Sequence, residues 1–82
     1  MANPWMLIGD HRGALIWCLR MNDGGTQVAV TDHDEVHPDV ALKANLKYSN
    51  WHTVPGRGHG DADAIFRAEQ LGREVIDKFL DR

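Results

Sequence analysis

The sequence contains a single cysteine, Cys18, among its 82 residues. One cysteine excludes a disulfide within the chain, and secreted domains of this size usually carry several cysteines. Cys18 lies within an apolar run, where a thiol packs as a small hydrophobic group and has a raised pKa. We therefore expect a core cysteine in a cytoplasmic protein, or in the host cytoplasm if a phage encodes the chain.

Long apolar runs are also absent. The longest run, residues 14–19, has six residues, whereas a membrane span needs about twenty. No basic segment precedes this run, so the sequence predicts neither a membrane span nor a signal peptide. The length suits one domain, residues 1–82, with a thin core, because a chain this short removes only roughly 60–65% of its unfolded surface from water.

The chain lacks both a cationic surplus and a catalytic set. Its 9 lysines and arginines face 12 aspartates and glutamates, which argues against tight binding to a phosphate backbone. Ser49 is the only serine, and its surroundings do not resemble a strained nucleophile elbow. No nucleophile, base and acid combine into a recognisable set, so the sequence predicts no enzyme and no cofactor.

Glycine and Asp-Gly signals divide the first half of the chain into strands. Residues 5–8 form a short apolar run, and a polar turn flanked by glycines follows at 9–13. Residues 14–21 are apolar on both alternating faces, which is typical of a central strand covered on both sides. The Asp-Gly pair at 23–24 predicts a tight hairpin whose central residues have positive φ. Residues 26–31 form the returning strand.

Residues 40–49 give conflicting signals. Apolar side chains alternate from Val40 to Tyr48, which is the period of a half-buried strand, but alanine, leucine and lysine favour a helix. The pattern favours a fourth strand, and a helix that begins at Pro38 is the alternative. The following residues, 50–60, are rich in glycine and are predicted to form a loop.

Residues 61–80 carry the clearest pattern, an amphipathic helix with one apolar side. Gly72 lies in the apolar stripe at a cost of about 1 kcal/mol relative to alanine, which indicates close packing of the backbone on a sheet. The whole order predicts a two-layer α+β domain, an antiparallel sheet of three to four strands packed by this helix. Three pairs four residues apart have the acid first: Asp63 with Arg67, Glu69 with Arg73, and Glu74 with Lys78.

The strongest indication of function is the number of tryptophans, three among 82 residues. Trp5 and Trp51 fall in or beside predicted loops, so we expect them to be partly exposed, with Tyr48 and Arg57 near Trp51. Exposed tryptophans with such neighbours are typical of protein-binding surfaces, although covering a thin core is their other reading. Four acids favour electrostatic steering of a basic partner: Asp32, Asp34, Glu35 and Asp39.

The leading hypothesis is therefore a small non-enzymatic binding protein that acts by protein–protein contact. This is the accessory or inhibitor type of protein that phages and bacteria encode. A thin core and an unpaired strand edge also favour a homodimer.

Two alternatives use other residues. A weak nucleic-acid-binding module would use cations beside a stacking aromatic ring: Lys43, Lys47, Trp51 and Arg57. A small metal-binding protein would use His33 and His37, which have the spacing of the metalloprotease helix motif. The sequence departs from that motif because Asp34 replaces its glutamate and Pro38 opposes a continuing helix.

Overall fold

The computed structural model describes residues 5–32, 52–56 and 58–81. These residues form one antiparallel sheet in the order β1-β2-β3-β4, with a helix packed on one of its faces. The predicted two-layer α+β arrangement is confirmed. The elements are β1 (Met6–His11), β2 (Ala14–Arg20), β3 (Thr26–Asp32), β4 (His52–Thr53) and α1 (Asp61–Leu80).

Helix α1 has the bounds that its pattern predicts. Gly60 is the N-cap residue and makes no side-chain capping bond, while Asp61 and Asp63 lie in the first turn, where the helix dipole favours carboxylates. The buried positions recur every fourth residue, so they form one stripe on the sheet side. They are Ala64, Ala68, Gly72 and Ile76.

This stripe consists mainly of small residues, and the helix therefore lies close to the sheet. A Cβ atom placed on Gly72 would come within 2.5 Å of the Cγ2 atom of Ile16 on β2. That distance is shorter than van der Waals contact between carbon atoms. The predicted close approach of the helix backbone at Gly72 is confirmed.

Strand β1 is longer than the predicted run 5–8 and extends into the predicted turn 9–13 as far as His11. Leu7 pairs with Trp17 and Gly9 pairs with Ile16, so Ile8 is an extra residue in a β-bulge. Gly9 is thus a strand residue whose missing side chain leaves room for Glu69, since a Cβ atom there would lie 3.2 Å from Glu69 Oε2. A glycine inside a strand often marks such a bulge or close approach.

The two hairpin turns differ in the number of central residues with positive φ. His11 pairs with Ala14, and the two residues between them have positive φ, 52° at Arg12 and 86° at Gly13, as in a type I′ turn. In the Asp-Gly hairpin only Gly24 has positive φ, and its N–H donates to the carbonyl of Met21. The second hairpin is confirmed, but its turn is a type I turn followed by a left-handed glycine.

The core lies between α1 and one face of the sheet. On β2, Ala14, Ile16 and Cys18 are buried on this side, and the alternating residues of the other face are half-buried. Cys18 is the predicted core cysteine, and burial raises the pKa of its thiol. On the opposite face, Trp17 Nε1 donates to Thr31 Oγ1 at 2.8 Å, so the buried Thr31 hydroxyl has a partner.

The fourth strand of the described sheet lies in a segment that composition predicts as a loop. The structure forms β4 at His52–Thr53, which pairs with Val28 and Gln27 of β3, inside the segment 50–60 that is predicted as a loop. A two-residue strand is too short to carry an alternating pattern that a sequence reading can detect. The predicted strand or helix at 40–49 lies outside the described residues.

Candidate functional site: a groove beside the helix

The C-terminal end of α1 is fixed to the first hairpin by a hydrogen bond with His11 and by ion pairs with Arg12. His11 Nε2 lies 2.8 Å from Asp77 Oδ1, and Arg12 binds both Asp77 and Asp81 at 3.1 Å. The hydrogen bond from His11, followed by that from Arg12, holds the pKa of Asp77 below its ordinary value. The ionised Asp77 carboxylate therefore stabilises the folded state at neutral pH, and this contribution is lost as the pH falls through the lowered pKa. These contacts fix which side of α1 faces solvent.

The N-terminal end of α1 is fixed through Arg20 at the end of β2. Its guanidinium donates to Thr26 Oγ1 at 2.6 Å and to the carbonyl of His59 at 2.9 Å, and it pairs with Asp61 at 3.4 Å. The Val54 N–H donates to the Thr26 carbonyl at 2.8 Å. The segment that follows β4 is therefore held against the sheet beside α1.

A groove of about 290 Å³ lies between this segment and α1. Its apolar lining comes from Val54 and Pro55 on one side and from Phe66 and Leu71 of the helix on the other. Phe66 is 63% exposed, the largest exposed fraction among the exposed large hydrophobic residues of the described chain. An exposed aromatic ring beside an apolar groove is an arrangement that protein-binding surfaces share.

The polar lining of the groove is charged at both ends. It consists of Arg67, Gln70 and Glu74. Arg67 Nε donates to Asp63 Oδ2 at 3.0 Å, and this bond, with a smaller contribution from His59, holds the pKa of Asp63 below its ordinary value. The groove thus has a cation near its Phe66 end and a carboxylate at its Glu74 end.

Two of the three predicted helix pairs form. Arg67 binds Asp63 at 3.0 Å and Arg73 binds Glu69 at 3.3 Å. Within the described part of the chain, Glu74 and Lys78 make no ion pair within 4 Å, so the third predicted pair is wrong. Both side chains are exposed.

The sequence-predicted binding residues are only partly placed. Trp5 is 4% exposed, so the expectation of a partly exposed ring is wrong and Trp5 belongs to the core. Trp5 leads directly into β1, and a large aromatic ring adds much buried area to a thin core. Asp32 ends β3 and is half-buried. The other members of that set lie outside the described residues: Asp34, Glu35, Asp39, Tyr48, Trp51 and Arg57.

The residues of the nucleic-acid and metal hypotheses also lie outside the described residues. Lys43 and Lys47 of the nucleic-acid hypothesis, with Trp51 and Arg57, lie outside the described chain, as do His33 and His37 of the metal hypothesis. Among residues 5–32, 52–56 and 58–81, no three histidine, cysteine or acidic side chains are grouped as metal ligands. Neither alternative is tested by this observation.

Phe66 is the site residue that the sequence reading missed. On a helical wheel it falls about 160° from Ala68, on the polar side of α1. A large aromatic residue on the polar face of an amphipathic helix indicates a binding surface, because core packing does not account for it. The helix pattern alone therefore marks Phe66 as a candidate binding residue, although it does not locate the groove.

Comparisons with protein-family models, with curated proteins and with solved structures gave no match to this chain. Over the described residues, no helix combines the length and the apolar character that crossing a bilayer requires. The fold and the groove together define a small two-layer α+β domain with an exposed aromatic groove beside its helix.

Proposed function

We propose that this protein is a small non-enzymatic binding protein of the cytoplasm that acts by protein–protein contact through the groove beside α1. We assign it to the accessory or inhibitor type of binding protein that phages and bacteria encode. The single observation that supports it most is the exposure of Phe66, 63%, at the rim of an apolar groove. Large exposed aromatic side chains are enriched among the residues that carry most of the energy of a protein interface.

The surroundings of Phe66 favour a protein as the occupant. Apolar side chains form the floor, and Arg67, Gln70 and Glu74 supply a donor, an amide and an acceptor at the edge. An apolar centre with a polar rim is the usual arrangement of a protein interface. A nucleic-acid strand would instead need several cations along the groove, and Glu74 opposes a phosphate there.

A photo-crosslinking experiment tests the proposal. Benzoylphenylalanine is placed at position 66 in the full chain and expressed in cells of its natural source, with the same probe at Leu80 as the control. Leu80 is 40% exposed and lies about 21 Å further along the helix axis. We expect a discrete protein adduct from position 66 and none from position 80.

The adduct is then identified and reconstituted from purified proteins. We expect Phe66→Ala to weaken that binding by about tenfold or more and Leu80→Ala to leave it within about twofold. Adducts with nucleic acid alone, equal adducts from both positions, or no adduct at all would contradict the proposal.

A further inference from the structure

One face of α1 has a charge pattern that complements itself when the helix is reversed. The face is defined by residues spaced by 4, 3, 1, 3 and 4 positions, so they share one side of the helix. Its charges read negative, positive, neutral, neutral, negative, positive from the N-terminal end. The residues are Asp63, Arg67, Gln70, Leu71, Glu74 and Lys78.

We propose that the groove is occupied by a second copy of this chain, whose α1 lies antiparallel to the first. The twofold axis passes between positions 70 and 71. Each Arg67 then lies opposite Glu74 of the second copy, and each Asp63 lies opposite Lys78. Such a self-complementary contact is the isologous type that most homodimers use. This inference rests on the proposed function and names the partner.

The state of the charges within one chain supports this arrangement. Glu74 and Lys78 lie four residues apart and yet make no ion pair in the described part of the chain. Arg67 engages Asp63 through Nε, which leaves its two terminal nitrogens for a carboxylate. The uncompensated carboxylate and ammonium of one chain meet their opposites only in the antiparallel arrangement.

The same twofold axis also brings the second helix over the apolar lining of the groove. A partner helix that crosses between positions 70 and 71 covers Leu71 and the Val54–Pro55 side, which line the groove. Phe66 lies opposite position 75 of the second copy and packs over the turn that carries its Glu74. A parallel arrangement would place like charges opposite each other and is disfavoured.

Charge-reversed variants give a signature specific to this pairing. Arg67→Glu places two glutamates opposite two glutamates across the axis, and Glu74→Arg places arginines opposite arginines. We expect sedimentation equilibrium to show that wild type dimerises and that each variant alone loses dimer affinity by about tenfold or more. An equimolar mixture of the two variants regains it as a heterodimer, because every pair across the axis is then of opposite charge.

Arg73→Glu is the matched control. It makes the same charge change and breaks an equivalent helix pair, Arg73 with Glu69 at 3.3 Å, but it lies off this face. We expect it to dimerise like wild type, and circular dichroism checks that every variant is folded. Phe66→Ala, which changes no charge, is expected to lose dimer affinity by about tenfold or more.

A wild type that stays monomeric at high concentration overturns this inference, as does a variant mixture that fails to associate. If the probe at position 66 still captures a different protein, the proposed function stands and only the identity of the partner is wrong. If the protein is monomeric and the probe captures nothing, both proposals fall.

Discussion

Replacing Gly72 by alanine is expected to destabilise the protein by about 2 kcal/mol, although alanine is the better helix former by about 1 kcal/mol. The added methyl group would lie 2.5 Å from Ile16 Cγ2 and 3.0 Å from its Cδ1 and Cγ1 atoms. Ile16 is fully buried on a central strand, so it has little room to move. In a domain of this size the loss corresponds to a fall in melting temperature of about 8–16 °C.

A double-mutant cycle isolates the cause of this effect. The Ile16→Ala change removes all three atoms that the new methyl group would meet. We therefore expect Gly72→Ala to be neutral or stabilising in the Ile16→Ala background, measured by denaturant unfolding. An equal loss of stability in both backgrounds would show that the close approach of α1 to β2 is not the reason.

Replacing Ile76 by alanine is expected to cost about 2–5 kcal/mol. Ile76 is 0% exposed and is the one large side chain among the four buried positions of α1. The total stability of a chain of this length is about 4–12 kcal/mol, so the variant is expected to lose a large fraction of it. The cost combines the lost burial with the cavity that a rigid sheet cannot close.

Arg73→Ala is the control for Ile76→Ala, because Arg73 is exposed in the same part of the helix and lies off the proposed contact face. Its effect on the free energy of unfolding is expected to stay within about 0.5 kcal/mol. Chemical denaturation followed by circular dichroism measures both variants. Equal, small effects of the two substitutions would mean that α1 does not pack on the sheet through this side.

The parts of the fold that were predictable from sequence are those with repeated local signals. The 20 residues of α1 repeat their apolar positions over many turns, and the apolar runs of β2 and β3 lie on either side of the Asp-Gly signal. The sequence predicts β1 too short because a glycine between an apolar run and polar residues, here Gly9, indicates a turn. Its role depends on a bulge opposite Ile16 and on Glu69, which are contacts with distant parts of the chain.

The candidate site was less predictable for a related reason. Position beside a predicted loop does not decide whether a tryptophan is exposed, and Trp5 is buried. The groove needs Val54 and Phe66 to meet, and that meeting depends on Arg20 holding the loop before α1. A single sequence does not encode such long-range contacts as a local pattern, although Phe66 on the polar side of α1 was a visible clue.

The contact surface of α1 is tested most directly by fluorine NMR of the chain labelled with fluorophenylalanine. The protein has two phenylalanines, Phe66 at the groove and Phe79 packed against the core, so the second is an internal control. With rising protein concentration, we expect the Phe66 resonance to shift or broaden while the Phe79 resonance stays in place. A Phe66 resonance that is independent of concentration, or equal changes at both rings, would contradict contact between two copies through this groove.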